Sequence, residues 1–204
     1  MLVILFKALR KILRKSIQPM YTPIAHLQLY LNGVKIKKGL KVAGFLKVDV
    51  TRRGKVKFGT NLKVNSGNDF NVIGRQQKTI FWVEGDLIIG NNVGMSSTAI
   101  ICNHQIIIGD DVTIGGNTVI YDTDFHRIDP IIRNDKSIDK QSAIKKPVII
   151  ENNVFVGAHT TILKGVTIGQ NSVIGSCSVV TKSIPQNEIW AGNPAKYIKS
   201  INGK

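Results

Sequence analysis

Acidic side chains are scarce in this chain, with 13 Asp and Glu against 28 Lys and Arg in 204 residues. The shortage is local, because Asp49 is the single acid among residues 1–63. Two cysteines, Cys102 and Cys177, exclude a disulfide scaffold, and without CxxC spacing they point to a reducing compartment. Aromatics are only 6% of the chain, low for a core built on Trp and Phe. Long apolar runs are missing too. Met1–Phe6 stops at Lys7, far short of the roughly 20 residues a membrane span needs. No charged region precedes that run and no A-x-A site follows it, so it does not read as a secretory leader. Neither GxGxxG opening a helix nor GxxxxGK[ST] is present, which removes the two common phosphate-loop readings. What is present is 43% hydrophobic residues, enough for one domain with a core of its own.

The basicity belongs to one end. Residues 1–63 hold 15 Lys and Arg, and the remainder holds 13 against 12 acids. Such asymmetry points to an anionic partner, whether membrane lipid, nucleic acid or acidic glycan, or else to a solvated face. Nucleic-acid binding is not expected, since residues 35–63 interleave their bases with only Phe45 and Phe58. Within residues 2–17 a helical projection gathers Leu2, Leu5, Phe6, Leu9, Ile12, Leu13 and Ile17 on one side. Lys7, Arg10, Lys11, Arg14 and Lys15 take the other. This predicts a short basic amphipathic helix that touches an anionic membrane surface, or packs on its own domain or a sister subunit.

A repeat of six governs the middle. Ile150, Val156, Ile162, Ile168, Ile174 and Val180 recur every six positions. A second series runs Ile89, Met95, Ile101, then slips by one to Ile108, Ile114 and Ile120. Weaker series are Ile36, Val42, Val48 and Phe58, Val64, Phe70. Six is neither the helical nor the simple strand period. It predicts a solenoid in which three short strands close one triangular coil and the recurring aliphatic fills the inside. Asn91-Asn92, Asp110-Asp111, Gly116-Asn117, Asn152-Asn153 and Gln170-Asn171 fall where tight corners need left-handed backbone.

The pattern breaks between Ile120 and Val148, so residues 121–147 are expected as a loop thrown out of the column, the usual form of a functional insertion. After Val180 the repeat ends at Lys182-Ser183-Ile184-Pro185. Asn193-Pro194 then reads as an N-cap with proline at the first helical position, predicting a short basic helix over 195–199. The expected organisation is therefore an N-terminal helix and linker (1–30), an all-β solenoid (31–185) and a C-terminal segment (186–204).

Residues 147–199, PVIIENNVFVGAHTTILKGVTIGQNSVIGSCSVVTKSIPQNEIWAGNPAKYIK, resemble the hexapeptide-repeat acetyltransferases. The likeness is to the galactoside/maltose O-acetyltransferase branch and its surface-polysaccharide relatives, and it continues more loosely through 85–126. It implies a left-handed parallel β-helix, a homotrimer, and acetyl-CoA as donor in a groove between subunits, with no metal. It also implies a sugar or glycan acceptor in capsule, O-antigen or exopolysaccharide synthesis. The expected location is the cytoplasm, at the inner face of the membrane.

Acyl transfer to a hydroxyl needs a base near neutrality, which suits histidine. Of His26, His104, His126 and His159, His126 stands where the first regular block ends, the junction at which the family places its catalytic histidine. Asp122 or Asp124 is the candidate to orient its ring, with Asp129 a weaker one. His104 and His159 lie three places after an aliphatic, which suits corners. The resemblance implies backbone contacts to the pantetheine arm from Ala158 and Ser176. It places Thr181 and Lys182 at the adenine and phosphate end, and Lys196 and Lys199 on phosphates. An acceptor-contacting Asn of the galactoside/maltose enzymes falls near Ser96 or Ser97, and a Trp of their acetyl-CoA site is replaced by Phe155. The alternatives are N-acetyl transfer to an amino-sugar, a zinc carbonic anhydrase on the same architecture (which needs an HxxxxH pair absent here), and a non-catalytic β-helix scaffold.

Overall fold

The computed structural model describes residues 1–71, 73 and 77–201. The side chains of Arg14 and Lys15, two of the expected basic-face residues, lie outside that description.

Helix α1 (Leu2–Leu31) precedes six triangular coils. The first coil is β1 (Lys35–Ile36), β2 (Lys41–Ala43) and β3 (Lys47–Val50). The second is β4 (Lys55–Phe58), β5 (Lys63–Asn65) and β6 (Ile80–Val83). The third and fourth are β7 (Asp86–Ile89), β8 (Gly94–Ser96), β9 (Ala99–Cys102), and β10 (Gln105–Ile108), β11 (Thr113–Ile114), β12 (Val119–Tyr121). An excursion carrying α2 (Pro130–Asn134) and α3 (Asp139–Ser142) follows. The fifth and sixth coils are β13 (Val148–Ile150), β14 (Phe155–Val156), β15 (Thr161–Ile162), and β16 (Thr167–Ile168), β17 (Val173–Ile174), β18 (Val179–Val180). Each strand pairs in parallel with the strand one coil away, giving three flat faces. The column is the left-handed parallel β-helix that the hexads and the family resemblance together lead one to expect.

The inward positions stack in register. On the first face Phe58, Ile89, Ile108, Ile150 and Ile168 are consecutive partners. On the second, Val64, Met95, Ile114, Val156 and Ile174 are. All ten are buried. Burying one such side chain is worth roughly 1.5–3 kcal/mol, against about 1 kcal/mol net for one backbone hydrogen bond, and a one-residue slip would turn every inward side chain outward, so the stack fixes register. The corners are built as expected, with positive φ at Asn92, Asp111, Asn117, Asn153 and Asn171. At the corner joining the first face to the second, side-chain amides run along the column, from Asn61 to Asn92 to Asp111 and from Asn153 to Asn171 to Asn187.

Two expected inward residues point elsewhere. Ile100 and Cys102 fill the third coil and Ile101 is half-buried, because the corner at Ser97 (φ 45) is tight and β9 alternates from Ile100. Phe70 is outside the stack, since residues 66–79 are inserted after β5 and Phe81 takes the inward place beside Ile100. Phe70 instead meets Tyr21 of α1 edge-on at 5.3 Å.

The C-terminal helix expected at 195–199 does not form. β19 (Glu188–Ala191) continues the second face beside β17, and β20 (Lys196–Ser200) returns antiparallel along it. Five residues are too few to hold a helix by themselves, whereas an unpaired sheet edge offers a row of ready partners. Tyr197 and Ile198 are good strand residues, and Tyr197 packs edge-on to Trp190.

Helix α1 is longer than the sequence led us to expect, and no linker separates it from the column. Its second half closes the open end of the first coil. Ala25 and Leu29 are buried in the core, and Thr22 Oγ1 accepts the Val42 N–H at 3.0 Å. Along its first half Leu2, Leu5, Phe6, Leu9, Ile12 and Leu13, with Ile17 just beyond, are all exposed.

Candidate active site

The excursion leaves from the corner that joins the third face back to the first. Its neck is tied at Asp122, which is fully buried. Both carboxylate oxygens of Asp122 accept backbone N–H groups one coil below, from Asn103 and His104, at 2.7 Å each. The Lys146 N–H donates to the Asp122 carbonyl, and Thr123 bridges antiparallel to Lys145. Burial, followed by the charge of Asp122, pushes the neighbouring Cys102 thiol far up, so this cysteine is no nucleophile.

Asp124 is also committed, because its Oδ1 meets Lys164 Nζ at 2.7 Å. Phe125 holds φ 63, a strained value for a bulky residue, and its N–H donates to Thr123 Oγ1. That turn brings the His126 N–H back onto the Asp124 carbonyl at 2.7 Å. The ring then faces a carboxylate from further along the loop, with His126 Nδ1 2.6 Å from Asp139 Oδ2. Asp139 is the first residue of α3, and its other oxygen accepts the Arg127 N–H at 2.7 Å.

This corrects the expected pairing. Neither Asp122 nor Asp124 orients the histidine, since one clamps the neck and the other is salt-bridged. Asp129 caps α2 by accepting from the Ile131 N–H. Asp139 had no signal in the sequence, because it belongs to no repeat and lies 13 residues from its partner.

The division of exposure is chemically useful. The His126 side chain is 67% exposed and that of Asp139 9%. An ionised carboxylate only accepts, so it assigns the Nδ1 proton and leaves the Nε2 lone pair in the open. The His126 hydrogen bond first, then the Arg127 N–H, hold the Asp139 carboxyl below its usual range. Arg127 donates to the Ser142 carbonyl and Arg133 to that of Ile128, which ties the loop to itself.

The other expected site residues lie mainly on a different corner, the one joining the second face to the third. Ser96 ends β8 and Ser97 follows it, while Ala158 follows β14 and Ser176 follows β17. Packing there is tight, and a Cβ on Gly157 would lie 2.5 Å from the Ser176 nitrogen. Ser96 is half-buried and accepts from Asn65, whereas Ser97 is fully buried. Lys196 sits beside the same corner, opposite Ala191 on β20, with Lys199 opposite Ile189. Thr181 and Lys182 follow β18 and share the histidine's corner further along the column. His159 (φ 61) and His104 occupy corners as expected, and His26 is exposed on α1. A single chain therefore keeps Ala158 and Ser176 on one edge of the prism and His126 on another.

Residues 147–182 match the family model described as bacterial transferase hexapeptide (six repeats), and residues 105–121 match the hexapeptide repeat of succinyl-transferase. The galactoside O-acetyltransferase of Escherichia coli (strain K12) is 36% identical over 132 residues, 60% of this chain and 62% of that enzyme. The chain thus spans a little under two thirds of that relative. WbbJ of Escherichia coli (strain K12), whose name assigns it to O-acetyl transfer in lipopolysaccharide biosynthesis, is 31% identical over 153 residues, 73% of this chain and 74% of that one. Among solved structures, a maltose O-acetyltransferase from Clostridium difficile 630 superposes with a TM-score of 0.53 at 29% identity, covering 84% of this chain and 71% of that one.

The depressed Asp139 value fixes a pH dependence. An unfolded Asp titrates near about 3.9. A folded value below that contributes stability fully present above the unfolded value and lost as pH falls through the folded one. An NMR titration of the Asp139 carboxyl carbon should show a midpoint below about 3.9 that rises in His126→Ala. A midpoint at or above the unfolded value contradicts the pairing.

Proposed function

The chain belongs to the hexapeptide-repeat acyltransferases, and on that premise we propose that it transfers an acetyl group from acetyl-CoA to a sugar hydroxyl during assembly of a cell-surface glycan. One observation carries the reading, an exposed imidazole backed by a sheltered carboxylate on an excursion from a regular column. His126 Nε2 takes the proton of the acceptor hydroxyl as its oxygen attacks the thioester carbon. The C–S bond then breaks, and the imidazolium returns the proton to the CoA sulfur. Asp139 acts as a positioning residue, holding the ring and stabilising its charged form. The donor's pantetheine arm runs along the backbone of Ala158 and Ser176. Thr181, Lys182, Lys196 and Lys199 attend its nucleotide and phosphates, for which four polar or cationic groups at the C-terminal end are chemically suited.

A homotrimer is part of the same reading. Ala158 and Ser176 lie on one edge of the prism and His126 on another, so packing one chain's edge against a neighbour's completes a site that one chain leaves divided. Ser96 is the surface-reaching candidate for acceptor contact, and Ser97 supports the corner beneath it.

Replacing His126 with Ala should lower turnover by about 10²–10⁴-fold, with the trimer and coenzyme A affinity kept. Thiol release from acetyl-CoA with a panel of sugar acceptors measures it. Wild-type turnover in this variant removes His126 as the base. The product should be an ester, labile to mild base, and a base-stable amide would favour an amino-sugar acceptor.

The free half of α1 adds a location, the inner face of the cytoplasmic membrane. No described helix is long and apolar enough to cross a membrane. The exposed apolar side of residues 2–17, with Lys7, Arg10 and Lys11 on the other side, suits lying in an anionic interface. Each basic residue adds about 1 kcal/mol near such a surface, while each buried large apolar side chain adds roughly 1.5–3 kcal/mol. The apolar side should therefore dominate. Full-length protein should co-sediment with phosphatidylglycerol-containing vesicles, less so at high salt, and Leu5→Glu with Leu9→Glu should abolish it. Undiminished binding of that variant removes the claim.

A further inference from the structure

Beside the neck of the excursion is a cavity of about 540 Å³ lined by Thr51, Arg52, Arg53, Glu84, Asn103 and Lys145. Three successive turns of one corner build its wall, those after β3, β6 and β9, and the returning limb of the excursion supplies Lys145. The first turn is pressed against the next coil, since a Cβ on Gly54 would meet the Val83 carbonyl at 2.4 Å. Arg52 and Arg53 are thus presented by a short, closely packed turn.

The charges in this cavity are unbalanced. Arg52 and Arg53 are exposed, and among the described residues neither they nor Lys145 has a hydrogen-bond or ion-pair partner through its side chain. The one carboxylate in the lining, Glu84, is 3.9 Å from Lys140. Asp122 behind the wall is fully buried with both oxygens occupied. Adjacent arginines repel, and a planar guanidinium fork matches phosphate oxygens in pairs. The cavity is also joined to the histidine by short links. Lys145 bridges Thr123, three residues before His126, and Lys140 follows Asp139 directly.

We propose that this cavity binds the diphosphate of the acceptor, so that the enzyme acetylates a sugar still carried on a diphosphate ester, whether nucleotide or lipid, rather than a free sugar. The proposal rests on the acetyl-transfer reading for its meaning, but the site itself is testable by binding alone. The phosphate contacts expected for coenzyme A from Lys196 and Lys199 lie on β20, on a different face of the column.

Full-length protein saturated with coenzyme A, which fills the donor's own phosphate contacts, is titrated with inorganic pyrophosphate in a calorimeter. One site per chain is expected. Arg52→Gln with Arg53→Gln should weaken it at least tenfold, whereas Lys35→Gln with Lys57→Gln, an equally basic exposed pair on the first face, should leave it unchanged. Displacement of pyrophosphate by UDP identifies a nucleotide carrier and displacement by farnesyl diphosphate a lipid carrier. No binding, equal binding by the arginine variant, or displacement by neither compound overturns the proposal. Pyrophosphate binding in a protein that releases no thiol with any acceptor would dismiss acetyl transfer and leave the anion site standing.

Discussion

Parallel coils can hydrogen-bond to one another only if each places its inward side chain over the last. That constraint orders this molecule. Ile150, Val156, Ile162, Ile168, Ile174 and Val180 are buried in successive strands because six residues make one side of the triangle. Any surplus must leave at a corner without disturbing the coils above and below. Residues 122–147 do so, and the departure is closed by Asp122 accepting two N–H groups of the coil beneath and by a short antiparallel bridge. The loop is therefore a rigidly rooted platform that carries chemistry away from the apolar column.

On that platform the acids divide the labour. Asp122 holds the root, Asp124 is drawn to Lys164 of the next coil, and Asp129 caps α2. Asp135 accepts from the Ser137 N–H and hydroxyl, and Asp139 faces the histidine. Each of the first three binds a backbone group or a cation fixed by the fold, so their positions are structural. The imidazole is the member of the set left mostly in solvent. Ala158 and Ser176 stand on a different edge of the prism from His126, and the proposed trimer would bring one chain's edge to another's.

The column was largely legible because its signal is periodic and local. Asn and Asp at five of the expected corners do adopt positive φ, and the inward aliphatics of the last two coils follow the six-residue count. The misreadings occur where tertiary context overrides the count. The tight corner at Ser97 shifts the inward place from Ile101 to Ile100. The insertion at 66–79 hands Phe70's place to Phe81. The C-terminal strand forms because an open sheet edge competes with a weak helical cap. The place of His126 at the start of the excursion was legible from the break in the repeat. Asp139 was not, since a contact spanning 13 residues of irregular loop has no period to reveal it. The arginine-lined cavity was hidden for a similar reason, because it joins corners from three coils and the returning loop.

The central claim is that His126 and Asp139 act as one unit. A double-mutant cycle in kcat/KM for acetyl transfer tests it most directly, using His126→Ala, Asp139→Asn and the two combined. If Asp139 works only through the ring, the double variant should be no slower than His126→Ala alone. Losses that multiply would mean that the carboxylate acts independently of the imidazole, and the account of the site would be wrong.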